Sequence, residues 1–250
     1  MNLNTGLEIS RPFILVNMAI SADGKIASAN RAVNQMGSRR DFEHLLELRA
    51  TADAVMTGAA TLKAQPAITL GPGPERFKKI RRQNGLASAP LRVLVSGTGR
   101  LNPKAKIFLT SGTPIIVLTT QRMPRSRRAA LAKTGSQIQV CGKSKVDFLA
   151  ALNWLRTEWG VKRLLCEGGG KLNGSLLAAD LVDELHLTVC PLILGGNTAP
   201  SIADGPLADH LADAQHFSLK SMTQSGDEVF LVYRVRNRCV QKLDSTTQAN

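Results

Sequence analysis

The segment from Arg163 to Gly196 constrains the fold of this chain more than any other part of the sequence. It holds a short apolar run ending at Glu167, three glycines, an amphipathic stretch and a second apolar run that closes on Gly195 and Gly196. This order predicts a strand, a glycine turn, a helix and a second strand. Glycines let a backbone approach a bound group closely, and a helix start offers unpaired N–H groups and a positive dipole end. The segment therefore suits a bound phosphate.

Glu167 indicates a second ligand beside that phosphate. It is predicted at the carboxyl end of a strand, where open α/β sheets bind their ligands. A carboxylate is a poor phosphate ligand, so we expect Glu167 to accept hydrogen bonds from an uncharged group. The run Gly168–Gly170 is not the Gly-x-Gly-x-x-Gly fingerprint of dinucleotide sites. Close packing of the helix explains such glycines equally well, so both interpretations stay open.

The rest of the sequence predicts strands that alternate with helices around an aliphatic core. Hydrophobic residues make up 43% of the 250 residues, whereas aromatic residues make up 4%, as in parallel sheets covered by helices. We predict a single α/β domain over residues 12–236, with a mostly parallel sheet, helices on both faces and a C-terminal antiparallel hairpin, followed by a polar tail over 237–250. The predicted strands and hairpin arms are Phe13–Ala19, Ala54–Thr57, Leu91–Val95, Ile115–Thr119, Gln137–Val140, Phe217–Met222 and Glu228–Arg236.

Helices are predicted from apolar periodicity and capping residues. Ser38 followed by Asp41 predicts a helix start, with Phe42, Leu45 and Leu46 as its buried stripe. A helical turn is predicted from Ala60, stopped by Gln65 and Pro66, and helices over Pro124–Lys133 and Val146–Trp159. Gly71–Pro90 is predicted to be an irregular insertion with room for a short helix.

Arg49 lies seven residues after Phe42, on the same predicted stripe. An arginine on a buried helix face is unusual unless its guanidinium binds an anion in a cleft. The alternative is that the guanidinium binds the last carbonyls of its own helix.

The net charge and the cysteines limit the functional classes that fit this chain. The net charge is +13, and basic residues concentrate at 39–40, 76–82 and 122–128. These clusters fit phosphorylated small molecules or a solvated surface, and without a nucleic-acid motif we disfavour nucleic acid. No apolar run approaches the length of about 18 residues that a membrane span needs. Cys166 and Cys190 fall in apolar strands and are expected to be small core residues in a reducing cytoplasm, with no metal site.

Several motifs together resemble the riboflavin-pathway pyrimidine reductases, which share the dihydrofolate reductase-like fold. The resemblance covers about residues 12–236 and lacks the zinc motif of the deaminase part found in bifunctional members. In chain order, the matching pieces are the strand and loop Val16–Ala27 with its Ser-x-Asp-Gly-Lys-x-Ala pattern, Leu48–Ala50, Gly58 with Thr61, and Glu167–Gly196 with its Leu-Val-Asp-Glu-Leu.

This resemblance implies an NADPH-dependent reductase that converts the ribose of a ribosylaminopyrimidine phosphate to a ribityl chain. It implies that Lys25 acts at the reacting ribose, that Glu167 holds the pyrimidine or ribose, and that Asp23 and Arg49 bind the substrate, with Arg49 on the phosphate. Lys25 also has a simpler interpretation as a loop lysine in solvent. The implied cofactor residues are Thr61, Gly168, Gly169, Gly170, Leu172, Asn173, Gly174 and Ser175. A homodimer is also implied, with Leu185–Val189 and the terminal hairpin as its surface.

The chain departs from the family pattern in the expected cleft. Gln65 precedes Pro66 where the family has acidic residues, Gly71 replaces a basic residue, and Val33–Met36 lacks the usual serine and tryptophan. The basic insertion Arg76–Arg82 is a candidate replacement for the phosphate ligand. Alternatives are therefore a reductase of another pyrimidine or a pterin, or a non-catalytic relative that binds nucleotides or RNA. NADPH is predicted over NADH because basic residues follow Thr119, where Gln121, Arg122 and Arg125 are candidates for a 2′-phosphate.

Overall fold

A computed structural model describes residues 11–31, 36–205 and 208–236 of the chain. Its strands are β1 (Phe13–Ser21), β2 (Ala54–Gly58), β3 (Leu91–Val95), β4 (Ile115–Thr119), β5 (Gln137–Val140), β6 (Arg163–Cys166), β7 (Glu184–Cys190), β8 (Phe217–Ser225) and β9 (Glu228–Val235). Its helices are α1 (Arg39–Arg49), α2 (Ala59–Ala64), α3 (Glu75–Gln83), α4 (Lys106–Leu109), α5 (Arg125–Ala132), α6 (Phe148–Trp159) and α7 (Gly170–Ala178), with a 3₁₀ turn at Leu211–Asp213.

The strands form a nine-stranded sheet in the order β5-β4-β3-β2-β6-β1-β7-β9-β8. The strands β2 to β5 pair in parallel, as do β1 and β7. The C-terminal part is antiparallel, because β9 runs antiparallel to both β7 and β8. The predicted α/β fold class, with its mostly parallel sheet and terminal hairpin, is confirmed.

The chain divides into two compact units. Of the described residues, the first unit contains Arg11–Phe13 and Leu46–Leu165, and the second contains those of Ile14–Leu45 and those from Cys166 to Arg236. The first unit holds the parallel strands β2 to β5, whose side chains are almost completely buried except in β5. The second unit holds β1, β7 and the hairpin. The predicted polar tail lies outside the described residues, as does Cys239.

The basic insertion of the first unit is more regular than the prediction. The stretch Gly71–Pro90 contains a regular helix, α3, and its Arg81 is fully buried. The Arg81 guanidinium donates to the carbonyls of Arg49, Ala52 and Ala87, with distances of 2.7 Å to Ala52 O and 2.8 Å to Ala87 O. The short helix that the insertion could contain is therefore present, and one of its arginines binds the carbonyls at and after the end of α1, which the sequence did not predict.

The buried stripe of α1 also differs from the prediction. Phe42 is 53% exposed, whereas Leu46, Leu48 and Arg49 are buried. Leu45 is half-buried. The stripe is shifted toward the C-terminal half of the helix because the core of the first unit, where Leu46 packs with Ala50 and Phe77, covers that half.

Two further predictions concern the cysteines and the membrane. Cys141, Cys166 and Cys190 are buried free thiols, which confirms that Cys166 and Cys190 are core residues. Among the described residues, the helices are all too short or too polar to cross a lipid bilayer.

Candidate functional site

The predicted glycine turn lies between β6 and α7, in the second unit. Glu167 follows β6 and is only 9% exposed. Gly168 has a φ of +71°, and a Cβ there would lie 2.7 Å from the Met18 sulfur. Gly169 precedes α7 in an extended conformation, and no side chain caps the helix start. The turn therefore leads into a helix whose first amides are not bound by a capping side chain.

Gly170 and Gly174 are explained by packing against a neighbouring segment of protein. A Cβ on Gly170 would collide with the Ser201 carbonyl, and one on Gly174 would collide with the Asp204 carbonyl. The Asp204 amide also donates to the Gly170 carbonyl at 3.0 Å. We call residues 200–204 the covering segment. The packing interpretation thus accounts for these two glycines, and their contact with a cofactor stays a prediction.

Asn173 ties α7 to the covering segment. It is fully buried, its Nδ2 donates to the Ile202 carbonyl at 2.9 Å, and its Oδ1 accepts from the Cys166 thiol at 3.4 Å. Burial raises the pKa of Cys166 to about 12, so this thiol is a stable donor. The Asn173 side chain therefore stabilises the fold at this point, whereas the resemblance implied that Asn173 binds the cofactor. Of the other implied cofactor residues on α7, Leu172 is buried and Ser175 donates to the Lys171 carbonyl.

Asp23 fixes the loop that carries Lys25. Its Oδ1 accepts from the Ser21 hydroxyl at 2.6 Å and from the Leu194 amide at 3.1 Å, and its Oδ2 accepts from the Gly195 amide at 2.8 Å. These hydrogen bonds, led by that from Ser21, lower the pKa of Asp23 to about 2. Because both oxygens accept backbone or local donors, Asp23 acts in this structure as a clamp between two loops.

Lys25 lies next to the covering segment. Its backbone forms an antiparallel bridge with Ser201, and the following Ile26 amide donates to the Pro200 carbonyl at 3.0 Å. The Lys25 side chain is half-buried, and its ammonium forms no ion pair with the part of the chain that the structure describes. The covering segment therefore joins the Lys25 loop to the start of α7. The resemblance gave these two parts of the site as separate motifs.

Arg49 and Thr61 belong to the first unit. Arg49 is 7% exposed, and its Nη1 donates to the Gly71 carbonyl at 2.9 Å. Arg81 donates to the carbonyls of Arg49 and Ala52, at and after the end of α1, which is the position that the alternative gave to the Arg49 guanidinium. Thr61 is half-buried in α2, and its carbonyl accepts from the Gln65 amide at 2.8 Å.

The basic insertion does not present its charges as one free cluster. Lys78 and Arg82 form ion pairs with Glu75 at 3.0 and 2.9 Å, and Arg81 is buried. Because these three side chains are paired or buried, few positive charges of the insertion are available to replace the phosphate ligand.

A basic cleft in the first unit escaped the sequence analysis. It has a volume of about 700 Å³ and is lined by the start of α2 and by the loop before α4. Four of its lining residues are cationic and none is acidic: Lys63, Arg100, Lys104 and Lys106. The signal in the sequence was the group of basic residues that follows β3, since ligands of parallel sheets bind beyond the carboxyl ends of strands. Arg122 and Arg125, the predicted 2′-phosphate residues, are exposed after β4.

Comparison with known proteins identifies the family. The RibD C-terminal domain family matches residues 12–231. The 2,5-diamino-6-ribosylamino-4(3H)-pyrimidinone 5′-phosphate reductase of Methanothermobacter thermautotrophicus is 32% identical over 227 residues, which cover 90% of this chain and 99% of that protein.

Solved structures agree on the fold. A pyrimidine reductase-like protein of Corynebacterium diphtheriae superposes with a TM-score of 0.76 at 24% identity, over 92% of this chain and 94% of that one. The diaminohydroxyphosphoribosylaminopyrimidine deaminase/5-amino-6-(5-phosphoribosylamino)uracil reductase of Thermotoga maritima has a TM-score of 0.70 at 21% identity, over 90% of this chain and 57% of that one. Matched by the family along most of its length and by a curated reductase almost from end to end, the chain belongs to the RibD C-terminal domain family.

Proposed function

We propose that this protein reduces a ribosylaminopyrimidine 5′-phosphate with NADPH, converting its ribose to a ribityl chain in riboflavin biosynthesis in the cytoplasm. The observation that carries the proposal is the covering segment, which joins the Lys25 loop to the glycine turn within one unit. A turn without a capping side chain suits a cofactor phosphate, and a nearby lysine that forms no ion pair with the described residues suits a reacting sugar.

The residues have separate tasks in this reaction. When bound, NADPH would supply a hydride to C1′ of the protonated imine that ring opening leaves, and the freed ring oxygen would take up one proton. Lys25 donates a hydrogen bond or proton near the ring oxygen as the C1′–O bond breaks, and Asp23 keeps the Lys25 loop in place. Glu167 accepts hydrogen bonds from the substrate, and Arg49 binds its phosphate. The resemblance implies that the cofactor is bound by Thr61, Gly168, Gly169 and Gly170 and by the α7 residues Leu172, Asn173, Gly174 and Ser175.

Cofactor choice is expected to favour NADPH over NADH. A 2′-phosphate carries up to two negative charges, which the basic residues of the first unit would stabilise. The candidates are Arg122 and Arg125 from the sequence and Arg100 of the basic cleft. Equal dissociation constants for NADPH and NADH, measured by fluorescence quenching, would contradict this choice.

The reaction is tested by following NADPH absorbance with the ribosylaminopyrimidine phosphate as substrate. We expect steady oxidation of NADPH that depends on both compounds. Binding of NADPH without turnover would remove the riboflavin assignment, and tight RNA binding without an NADPH response would favour the non-catalytic alternative.

We also propose a homodimer, formed through the terminal hairpin. β7 is flanked on both sides by β1 and β9, so Leu185–Val189 does not lie at an edge of the sheet. β8 is the edge strand, and its Leu219 and Met222 are 54% and 67% exposed. A monomer in light scattering at micromolar concentration would rule out the dimer.

A further inference from the structure

The Asp204 side chain closes the covering segment into a tight turn. Its Oδ1 accepts from the Ser201 amide at 2.9 Å and from the Ser201 hydroxyl at 3.1 Å. The same hydroxyl also donates to the Ala203 carbonyl at 2.9 Å. Local hydrogen bonds of this kind, from a carboxylate to a residue three positions earlier, determine the backbone conformation of a loop. Asp204 therefore fixes the position of Ser201.

Ser201 lies directly opposite Lys25. The backbones of these two residues form an antiparallel bridge, and the Ile26 amide next to Lys25 donates to the Pro200 carbonyl at 3.0 Å. Residues that lie opposite each other in an antiparallel pair carry neighbouring side chains on the same face. A displacement of Ser201 would therefore displace the backbone from which the Lys25 side chain starts.

Ser21 holds the Lys25 backbone from the side of the sheet. The Lys25 amide donates to the Ser21 hydroxyl oxygen at 2.9 Å, and the Lys25 carbonyl accepts from the Ser21 amide at 2.9 Å. Ser21 is fully buried at the end of β1, so the sheet itself keeps it in place. Ser201, by contrast, lies outside the helices and strands, and its position depends on local hydrogen bonds such as those to Asp204.

Asp204 also contacts the start of α7, through its backbone. Its amide donates to the Gly170 carbonyl at 3.0 Å, and a Cβ on Gly170 would lie only 2.8 Å from the Asp204 carboxylate. The bond from Asn173 Nδ2 to the Ile202 carbonyl, at 2.9 Å, holds the middle of the covering segment to the same helix. Asp204 thus joins two parts of the second unit: its backbone binds the start of α7, and its side chain supports the segment opposite Lys25.

We propose that Asp204 is a positioning residue for the reduction. Its carboxylate holds Ser201, and through Ser201 it holds Lys25 at a fixed place relative to the glycine turn while the sugar reacts. This inference rests on the proposed function. Asp204 lies outside the motifs that carry the resemblance to the family, so its role comes from these contacts alone. A reacting group that is misplaced by about 1 Å can lose on the order of 100-fold in rate, which makes such support important for turnover.

Substitutions of Asp204 test this role by steady-state kinetics with NADPH and the ribosylaminopyrimidine phosphate. Asp204→Ala should lower kcat about tenfold or more, because Ser201 loses its acceptor. The dissociation constant of NADPH should change less than about twofold, because the backbone bond to Gly170 remains. Asp204→Asn keeps an acceptor oxygen and should recover most of the lost kcat. Asp209→Ala, which removes a carboxylate at an exposed position, is the control and should keep the original kcat.

A double-mutant cycle with Lys25→Met separates positioning from a merely structural role. If Asp204 acts through Lys25, adding Asp204→Ala to Lys25→Met should change kcat little, because the group that Asp204 positions is already absent. General damage to the fold would instead lower kcat by the same factor in both backgrounds. Ser201→Ala removes one of the two donors to Asp204 and should lower kcat by a smaller factor, which keeps the test open if Asp204→Ala does not fold. Binding of NADPH shows which variants are folded.

The results that would overturn the proposal differ from those that would overturn the proposed function. If Asp204→Ala keeps the original kcat, if Asp204→Asn is as slow as Asp204→Ala, or if the factors multiply in the cycle, Asp204 does not position Lys25 and the proposed function stands. If the unmodified protein oxidises no NADPH with this substrate, the proposed function fails and the role of Asp204 fails with it.

Discussion

At the scale of single residues, two buried arginines show how similar sequence signals lead to different tasks. Arg81 is fully buried and donates to carbonyls at and after the end of α1, whereas Arg49 donates to the Gly71 carbonyl and is slightly exposed. The sequence identified Arg49 from helical spacing, but Arg81 looked like part of a surface cluster. The spacing of residues within one helix does not show which carbonyls of another segment an arginine side chain will contact.

The two arginines are distinguished by substitution with Met. Arg81→Met should lower the free energy of unfolding by about 3 kcal/mol, since several buried carbonyls lose their donor. Arg49→Met should raise the KM of the phosphorylated substrate about tenfold or more and affect a dephosphorylated analogue little. Denaturant unfolding and steady-state kinetics measure the two effects. A similar rise in KM for the phosphorylated substrate and the dephosphorylated analogue in Arg49→Met would show that Arg49 does not bind the phosphate.

Lys25 is tested by separating turnover from cofactor binding. Lys25→Met should reduce kcat by on the order of 10²-fold, because it removes the group proposed to act at the ribose. The dissociation constant of NADPH should stay unchanged. Lys143→Met, at an exposed loop position, is the control for loss of a positive charge. Unchanged kcat in Lys25→Met would leave Lys25 as a simple loop lysine.

At the scale of elements, the apolar strands were predictable and the contacts between segments were not. The bounds of β3, β4 and β5 match the prediction, because short β-branched and aliphatic runs between turns leave little choice. α4 was missed because it is short, and α3 was expected only as a short helix without bounds because it is mostly charged. The covering segment has no periodic signal of its own, and only its long-range contact with Gly170 and Gly174 gives it a role.

The packing of α7 gives a prediction at this scale. Gly174→Ala should lower the free energy of unfolding by about 1–3 kcal/mol, because the new methyl group collides with the Asp204 backbone. It should also weaken NADPH binding if α7 and the covering segment hold the cofactor. Gly97→Ala is the matched control, since a Cβ there meets only the Thr120 methyl at 3.6 Å. Thermal unfolding that is the same for both variants would show that the contact is loosely packed.

At the scale of the whole molecule, the sequence predicted the fold class and the family better than it predicted the site. Alternating strands and helices and an aliphatic core were sufficient for the former. The Lys25 loop and the glycine turn also came from local motifs. The roles of Asp23 and Asn173 depend on partners far away in the chain, such as Leu194 and Ile202, which no local pattern reveals.

Stability against acid depends on a buried carboxylate in the second unit. Burial alone would raise the pKa of Glu184, but hydrogen bonds from His186, Lys220 and Arg234 outweigh it and lower the pKa to about 2. Because the pKa is lower in the folded state, this stabilisation is present above the unfolded pKa near 4.5 and is lost as the pH falls toward 2.

Glu184→Gln tests this dependence. The unmodified protein should lose on the order of 2 kcal/mol between pH 5 and pH 2 through this group, a value reduced by the solvent exposure of Lys220 and Arg234. The variant should be less stable at pH 7 and show a flatter pH profile in urea unfolding. Parallel profiles for the two proteins would contradict the assignment.

The central claim, hydride transfer to the ribose of a ribosylaminopyrimidine phosphate, is tested most directly by isotope transfer. The protein is incubated with the substrate and with NADPH that carries deuterium at the transferable position of the nicotinamide. We expect one deuterium at C1′ of the ribityl product, located by NMR and mass spectrometry. Deuterium on the pyrimidine ring, or an unlabelled product, would contradict the claim.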